Sequence, residues 1–166
     1  MVSIRDYRPS DLPTVWTMAT LPNIGATADP SMPLRLSVAA EPPAAFPALA
    51  DPGALSGFLV GELDGDLVAM GGLRSRGQNR AEMVYIRVHP ATRRQGIGRK
   101  LMAALEQRAI ALGHTEVILN TATNQPEAVD FYRSLGYRDV RTETRPEWQW
   151  TLIHFEKTLP RSLKPS

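Results

Sequence analysis

The chain of 166 residues is 43% hydrophobic and 22% charged, carries a formal net charge of +2 and contains no cysteine. The length predicts one domain with its own core, and the missing cysteines exclude disulfide bonds and a cysteine nucleophile. With neither an apolar run of roughly 18 residues nor a basic and aromatic stripe, the sequence predicts no membrane and no nucleic acid among its partners. The first residues lack the apolar core of a signal peptide, so we expect a cytoplasmic protein.

The N-terminal third is predicted to hold a strand, a helix and a proline-rich cover. Residues 2–8 alternate weakly as a strand does, and Ser10 or Asp11 offers a side chain that caps the following helix. Seven prolines then fall within residues 22–52, which excludes a long helix or a central strand there. A disordered linker is one interpretation of this segment, but its apolar side chains favour a cover of loops and short helices.

The remaining elements alternate between strands and helices. Asp64-Gly65 predicts a hairpin turn, and Gly113 and Gly136 suit the ends of two helices. Strands are predicted at residues 55–62, 67–73, 81–88, 115–121, 137–142 and 148–159, and helices at residues 96–112 and 126–135. This order indicates the α/β (α+β) class. We expect one domain over residues 1–159, with a mixed, mostly antiparallel sheet flanked by helices, and a frayed tail at residues 160–166.

A basic turn that carries two glycines connects the strand ending at Val88 to the next helix. Gly96 and Gly98 would let backbone N–H groups approach a ligand closely, and the start of a helix leaves such donors free beside a positive dipole end. Three arginines concentrate positive charge there, namely Arg93, Arg94 and Arg99. The turn therefore predicts an anion site, suited to the pyrophosphate of a coenzyme. The alternative is a basic surface turn that only caps the helix.

A second pattern begins about thirty residues later and runs from Gln125 to Tyr137. Together the two stretches resemble the signatures of the GNAT superfamily of acyl-CoA-dependent N-acyltransferases. The first is similar to its Arg/Gln-x-x-Gly-x-Gly/Ala signature, as Arg93-x-x-Gly96-x-Gly98. The second is similar to its Asn/Gln-x-x-Ala-x-x-φ-Tyr-x-x-x-Gly-Phe/Tyr pattern, where φ is apolar, as Gln125-x-x-Ala128-x-x-Phe131-Tyr132-x-x-x-Gly136-Tyr137. The resemblance covers about residues 2–159 and is vague at residues 21–53.

The resemblance implies a fold, a cosubstrate and a reaction. The fold is the GNAT-like sheet flanked by helices, acetyl-CoA is the acyl donor, and no metal is needed. The implied reaction moves an acetyl group to a primary amine of a small-molecule or protein acceptor, by direct attack in a ternary complex. A homodimer is also implied by the resemblance alone. The coenzyme-binding residues it implies are Ile86, Arg87, Val88, Arg93, Arg94, Gln95, Gly96, Ile97, Gly98, Arg99, Asn124, Gln125 and Tyr132.

Within that set, different groups are implied to hold different parts of the coenzyme. The main chain from Arg94 to Arg99 would cradle the pyrophosphate. The main chain of residues 86–88 would pair with the pantetheine arm like an added strand, and it could offer an N–H to the oxyanion. Where the family often has asparagine at the start of the second pattern, this chain has Gln125 preceded by Asn124, and either amide could bond the arm.

Tyr132 and Glu82 are the predicted catalytic pair. Tyr132 matches the tyrosine that many family members place near the coenzyme sulfur as general acid; the alternative is a core tyrosine. Glu82 lies six residues before Val88, where the histone-acetyltransferase branch carries its catalytic glutamate. Alternation predicts that Glu82 shares a face with residues 84, 86 and 88 unless a bulge intervenes. The alternatives are an ion pair with Arg80 or Arg74, or a water chain as the base.

The histidines and tryptophans carry weaker signals. We expect His89 and His114 to be solvated, while His154 is a candidate for the cleft. Three separated histidines without cysteine give no case for a metal site. Trp148 and Trp150 share strand parity, and either core packing or an acceptor pocket fits them; we assign Trp150 to the core.

The acceptor is not fixed by any pattern in the chain. Small amines, amino acids, antibiotics, protein N-termini and lysines remain open, because the fold does not determine them. Its pocket is expected between residues 21–53 and 143–150. The competing function is a non-catalytic domain that binds or senses acyl-CoA on the same fold.

Overall fold

The computed structural model describes residues 1–21, 28–77 and 79–161. One sheet lies at its centre, and its seven strands follow the order β1-β2-β3-β4-β5-β7-β6. The strands are β1 (Ser3–Asp6), β2 (Gly57–Leu63), β3 (Asp66–Ser75), β4 (Arg80–Val88), β5 (Glu116–Ala122), β6 (Arg138–Glu143) and β7 (Leu152–Thr158). Among the strands of this described part, β4 and β5 pair in parallel and the other neighbours are antiparallel. This arrangement confirms the predicted mixed, mostly antiparallel sheet of a single domain.

The described residues form three α-helices beside the sheet, and the first two of these helices cover its opposite faces. They are α1 (Leu12–Ala19), α2 (Ile97–Ala111) and α3 (Pro126–Ser134). Phe58 and Val60 of β2 pack in one cluster with residues of α1, whereas Leu59 packs in the other with residues of α2. Successive side chains of a strand point to opposite faces, so one short strand supplies both cores.

The proline-rich segment lies over the α1 side of the sheet where it is described. Residues 28–56 run as loops with short 3₁₀ turns at Pro47–Ala50 and Pro52–Ala54. Leu49 is fully buried in the α1 cluster, and its carbonyl accepts a hydrogen bond from Trp16 Nε1 at 2.7 Å. Residues 22–27 of the predicted cover and residues 162–166 of the predicted tail lie outside the described residues.

The last hairpin differs from the sequence prediction. The final strand starts at Leu152 rather than at residue 148, because the backbone turns at Trp148, whose N–H donates to Arg145 O at 2.9 Å. Strand parity therefore does not apply to Trp150, and its assignment to the core is wrong: the side chain is 37% exposed. The two tryptophan rings instead stack on each other, with centroids 5.7 Å apart and an interplanar angle of 11°.

His89 also differs from its prediction, since the side chain is fully buried. Its Nδ1 accepts the N–H of Ala91 at 3.0 Å, so Nε2 carries the proton and donates to Pro33 O at 2.8 Å. The histidine therefore fastens the cover segment to the end of β4. Burial without solvent is tolerable because both ring nitrogens are hydrogen-bonded.

Candidate active site

The centre of the sheet opens between its two parallel strands. β4 and β5 pair only at Arg80 with Glu116, Ala81 with Val117 and Glu82 with Ile118. Beyond these pairs β4 continues to Val88 against β3, and β5 continues against β7. A cavity of about 110 Å³ lies in the gap, and its walls are Glu82, Met83, Val84, Tyr85, Ile86, Arg87, Leu119, Asn120 and Tyr132. The gap leaves main-chain groups of β4 available to an extended ligand.

A β-bulge in β4 shapes this cavity. Val84 pairs with Gly72 and Arg87 pairs with Met70, so Tyr85 and Ile86 together face the single residue Gly71. Tyr85 takes a φ of +57°, which is costly for a residue with a Cβ and is found where a bulge redirects a strand.

The bulge changes which β4 residues share a face. Ala81 and Met83 pack in the α2 core, and so do Ile86 and Val88. Alternation places Glu82 on the other face, so Glu82 and Val88 do not lie on the same side of the sheet. The prediction that Glu82 shares a face with residues 86 and 88 is therefore wrong, because a bulge does intervene between them.

The glycine-bearing turn has the backbone that an anion site requires. Arg94 and Gly96 take φ values of +64° and +79°, and Gly96 stands immediately before α2. The first helical bond runs from Lys100 N–H to Gly96 O at 3.1 Å. The N–H groups of residues 97–99 belong to the first turn, where a helix has no carbonyl to offer them. They can therefore donate to a negatively charged ligand.

A second cavity, of about 300 Å³, lies against this turn. It is lined by Ala28, Val88, Thr92, Arg93, Arg94, Gly96, Ile97, Gly98, Arg99, Glu127 and Phe131. Three arginines give it positive charge, and the Arg94 side chain is 85% exposed with a long 3.9 Å contact to Glu127. Gln95 lines a different cavity beside Val2 and Lys100, so its side chain lies apart from the arginines. Val88 belongs to this cavity and its neighbour Arg87 to the gap, so β4 leads from one to the other.

Tyr132 lies on α3 with its ring in the core and also lines the gap. The side chain is 3% exposed and packs against Phe155 and Tyr137, with ring centroids 6.1 Å away in both cases. Burial raises the pKa of the Tyr132 phenol well above its usual range, and the nearby Arg87 guanidinium opposes the rise only in part. The phenol is therefore protonated at neutral pH, as a proton donor must be. Tyr132 is thus a core residue and also a wall of the gap cavity.

Glu82 lies at the rim of the gap and is held by two arginines. Its Oε1 is 2.8 Å from Arg76 Nε and 3.7 Å from Arg74 Nη1. The ion pair expected with Arg74 is thus present, whereas Arg80 pairs with Glu116 at 2.7 Å. Arg76 as a partner was missed, because it lies in the turn before β4 and no spacing rule brings it to Glu82.

A third cavity, of about 340 Å³, brings Glu82 together with His154. Asn120 and Arg141 also line it. His154 Nε2 is 3.1 Å from Glu143 Oε1, and Arg145 approaches the other oxygen of the same carboxylate. These two partners, the histidine first, lower the pKa of Glu143. His154 therefore lines a cleft, as the sequence allowed, but it is engaged by a carboxylate.

The two amides at the start of α3 differ in their surroundings. Asn124 is exposed, whereas Gln125 is half-buried and directly precedes the helix. Among the described residues, no donor reaches the buried Oε1 of Gln125. A buried amide oxygen without a donor has a hydrogen bond still to make, which favours Gln125 over Asn124 as the residue that meets a ligand.

The described residues offer neither a metal-binding cluster nor a membrane-spanning helix. Over residues 1–21, 28–77 and 79–161 there is no group of three or more histidine, cysteine or acidic side chains that could hold a metal ion. Of the helices in this described part, none is long and apolar enough to cross a membrane.

An open pair of parallel strands beside a glycine turn at a helix start is the arrangement that the motifs implied. Comparison with known proteins agrees. The Acetyltransferase (GNAT) family matches residues 27–137 of the chain. Over 148 residues the chain is 28% identical to an acetyltransferase of Photorhabdus laumondii, an alignment that covers 86% of this chain and 91% of that protein.

Solved structures share the fold at lower identity. The ribosomal-protein-S18-alanine N-acetyltransferase from Escherichia coli superposes with a TM-score of 0.74 at 18% identity, over 100% of this chain and 99% of that one. A Salmonella typhimurium protein solved with its cofactor acetyl-CoA gives a TM-score of 0.69 at 18% identity, over 99% and 98%. The chain belongs to the GNAT acetyltransferase family. It is an N-acetyltransferase of that family.

Proposed function

We propose that this protein transfers an acetyl group from acetyl-CoA to a primary amine by direct attack within a ternary complex. The observation that carries the proposal is the course of β4. Its residues line the gap that opens toward β5, and its end reaches the turn whose N–H groups can bind phosphate. One extended ligand can therefore lie along the strand with its anionic part at the start of α2.

The chain's own groups fit the parts of acetyl-CoA. The N–H groups of the turn and the side chains of Arg93, Arg94 and Arg99 bind the pyrophosphate, because donors and positive charge meet there. Main-chain groups of residues 86–88 pair with the arm in the gap that β5 leaves open. The unpaired Gln125 oxygen accepts an N–H from the same arm. When bound, acetyl-CoA supplies the thioester.

The transfer needs a proton removed from the amine and a proton delivered to the departing sulfur. As the amine nitrogen forms its bond to the acetyl carbon, the carbon–sulfur bond breaks and the electron pair leaves with sulfur. Glu82 takes the amine proton, directly or through water, and Tyr132 gives its phenolic proton to the thiolate. Tyr132 can do so because burial keeps the phenol protonated. An N–H of β4 stabilises the oxyanion.

A binding-only domain is the competing function. It would use the same turn and gap but would need neither Glu82 nor Tyr132. The position of both side chains in one small cavity supports catalysis over binding alone.

The test measures release of coenzyme A from acetyl-CoA in the presence of mixed primary amines, with mass spectrometry of the acetylated products. We expect release that depends on amine and is lost in the Arg94→Glu/Gly96→Glu variant. Arg161→Glu is the control, because it reverses one charge at an exposed residue outside these cavities. Binding of acetyl-CoA without amine-dependent release would replace the transfer function with the binding-only one.

A further inference from the structure

Arg87 differs from three other arginines of the sheet region in what surrounds its guanidinium. Arg76, Arg80 and Arg138 each lie within 3 Å of a carboxylate oxygen, at 2.8, 2.7 and 2.9 Å. Arg87 instead donates from Nη1 to the carbonyl of its neighbour Ile86 at 3.0 Å. Within the described parts of the chain, its buried Nε meets no acceptor and no carboxylate pairs with the group.

Arg87 lies inside the proposed site, so the lack of a carboxylate partner among the described residues leaves its guanidinium able to bind a ligand. The side chain lines the gap cavity together with Glu82 and Tyr132. The bulge turns it away from the α2 core toward the cover, where its guanidinium carbon lies 5.7 Å from the centre of the Phe46 ring. Burial lowers the pKa of Arg87, but a guanidinium stays charged because its ordinary pKa lies far above neutrality. A positive charge is thus held in a small cavity with hydrogen bonds still to give.

The phosphates of the coenzyme do not account for this charge. They are bound by the turn at the start of α2, and Arg87 is absent from that cavity. The gap cavity, of about 110 Å³, has room for a small head group. A planar guanidinium binds a planar carboxylate through two parallel hydrogen bonds, and this geometry is most effective away from water.

We propose that the acetyl acceptor is a primary amine that bears a carboxylate, as amino acids do, and that Arg87 binds that carboxylate. The inference rests on the proposed function. Glu82 and Arg87 line the same cavity, so an acceptor whose acid group pairs with Arg87 keeps its amine close to Glu82. Arg87 determines specificity here: it holds the acceptor and takes no part in moving the acetyl group.

The experiment compares amino acids with the amines that lack only the carboxylate: phenylalanine with phenethylamine, leucine with isoamylamine, tyrosine with tyramine and histidine with histamine. Coenzyme A release gives kcat and KM for each acceptor. We expect kcat/KM to favour the amino acid of at least one pair by about 10- to 100-fold, the range of a charged hydrogen bond. Calorimetry of the preferred amino acid binding to the protein with coenzyme A gives a readout that does not depend on turnover.

Two substitutions of Arg87 and one control complete the design. Arg87→Met should raise KM for the preferred amino acid about 10- to 100-fold and leave KM for its decarboxylated partner within about twofold. Arg87→Lys keeps the charge without the planar fork and should restore part of the loss. Arg133→Met removes an exposed arginine that pairs with Asp139 and should change neither value. Thermal unfolding of each variant checks that it is folded.

The outcomes separate this inference from the function on which it rests. If acetyl-CoA neither binds nor releases coenzyme A with any amine, the proposed function fails. If acetyl-CoA binds but no amino acid is preferred over its decarboxylated partner, the assignment of Arg87 is overturned and the coenzyme site stands. An equal loss for both acceptors in Arg87→Met would also overturn it, because it would place the guanidinium on the acetyl donor.

Discussion

A Cβ atom added to Gly71 would stand 2.7 Å from Cδ1 of Ile86, closer than real contacts allow. Gly71 faces the two residues of the β4 bulge, and its missing side chain leaves the space that the Ile86 side chain enters. The bulge in turn places Arg87 on the side of the sheet on which the acceptor is proposed to bind. Gly71 on β3 thus makes room for the bulge in β4 that shapes the site.

Gly71→Ala should therefore destabilise the protein and weaken the site together. The side-chain ends of Ile86 and Leu105 must move, so we expect a loss of about 1–2 kcal/mol in the free energy of unfolding, as overpacking usually costs. Urea unfolding measures that loss, and titration with acetyl-CoA measures the second effect. Gly53→Ala is the control, with an expected change within about 0.5 kcal/mol because the position is exposed. Equal behaviour of the two variants would contradict the role given to Gly71.

Gly98 lies within the first turn of α2, where alanine is the better helix former. Gly98→Ala should raise the free energy of unfolding by up to about 1 kcal/mol. It should nevertheless weaken acetyl-CoA binding, since Gly98 lines the phosphate cavity. Gly96→Ala should lower both the free energy of unfolding and the affinity for acetyl-CoA. Gly96 has a φ of +79°, which costs alanine about 1 kcal/mol. Chemical unfolding and calorimetry distinguish the two effects. If Gly98→Ala bound acetyl-CoA more tightly than the native chain, the turn could not be the phosphate-binding part of the site.

Tyr132→Phe tests the proposed acid. The ring contacts are retained, so we expect the free energy of unfolding to change by less than about 1.5 kcal/mol. Without the phenolic proton, the rate of coenzyme A release should fall by about 10²- to 10⁴-fold, the usual contribution of a general acid. Steady-state kinetics at saturating acetyl-CoA gives the rate. A rate that stays within twofold of the native chain would leave Tyr132 as a core residue only.

The alkaline side of the stability profile should report the two buried tyrosines. Burial raises the pKa of both Tyr132 and Tyr137, the latter also through Glu106. A group whose folded pKa exceeds its unfolded value binds more protons in the folded state, so its stabilisation is complete below the unfolded pKa and is lost as the pH rises above it. The free energy of unfolding should fall above about pH 10, the ordinary pKa of tyrosine. Urea unfolding at several pH values should show a shallower fall in Tyr137→Phe than in the native chain; an identical slope would be the contrary result.

Glu82→Gln examines the proposed base. It removes the proton acceptor while keeping the shape of the side chain, so the rate with a saturating amine should drop by about 10²-fold or more. The matched control is Glu143→Gln, since Glu143 also pairs with arginine in the neighbouring hairpin. If the rate fell strongly in Glu143→Gln and not in Glu82→Gln, Glu82 would not be the base and the Glu143–His154 pair would take its place.

The two signature stretches could be predicted because their residue types follow from the local backbone conformation. Gly96 needs a positive φ and lies at a helix start, and both properties can be read from neighbouring residues. The alternation of strands and helices follows from similarly local periodicity, so the order of these elements along the chain could be predicted.

The features that were missed depend on contacts between distant parts of the chain. His89 can be buried because the carbonyl of Pro33, 56 residues earlier, accepts a hydrogen bond from its Nε2–H. The β4 bulge depends on Gly71 in the preceding strand, and it reverses the face on which Glu82 lies relative to Val88. That no carboxylate of the described residues pairs with Arg87 likewise depends on distant parts of the chain, and no spacing within β4 can reveal it.

The most direct test of the central claim is thermal unfolding of the native chain with and without acetyl-CoA, beside the Arg94→Glu/Gly96→Glu variant. At about 100 times its dissociation constant, acetyl-CoA should add roughly 2.7 kcal/mol to the free energy of unfolding of the native chain, and nothing to the variant. No shift in the native chain, or an equal shift in the variant, would contradict the assignment of the turn and the β4–β5 gap as the acetyl-CoA site.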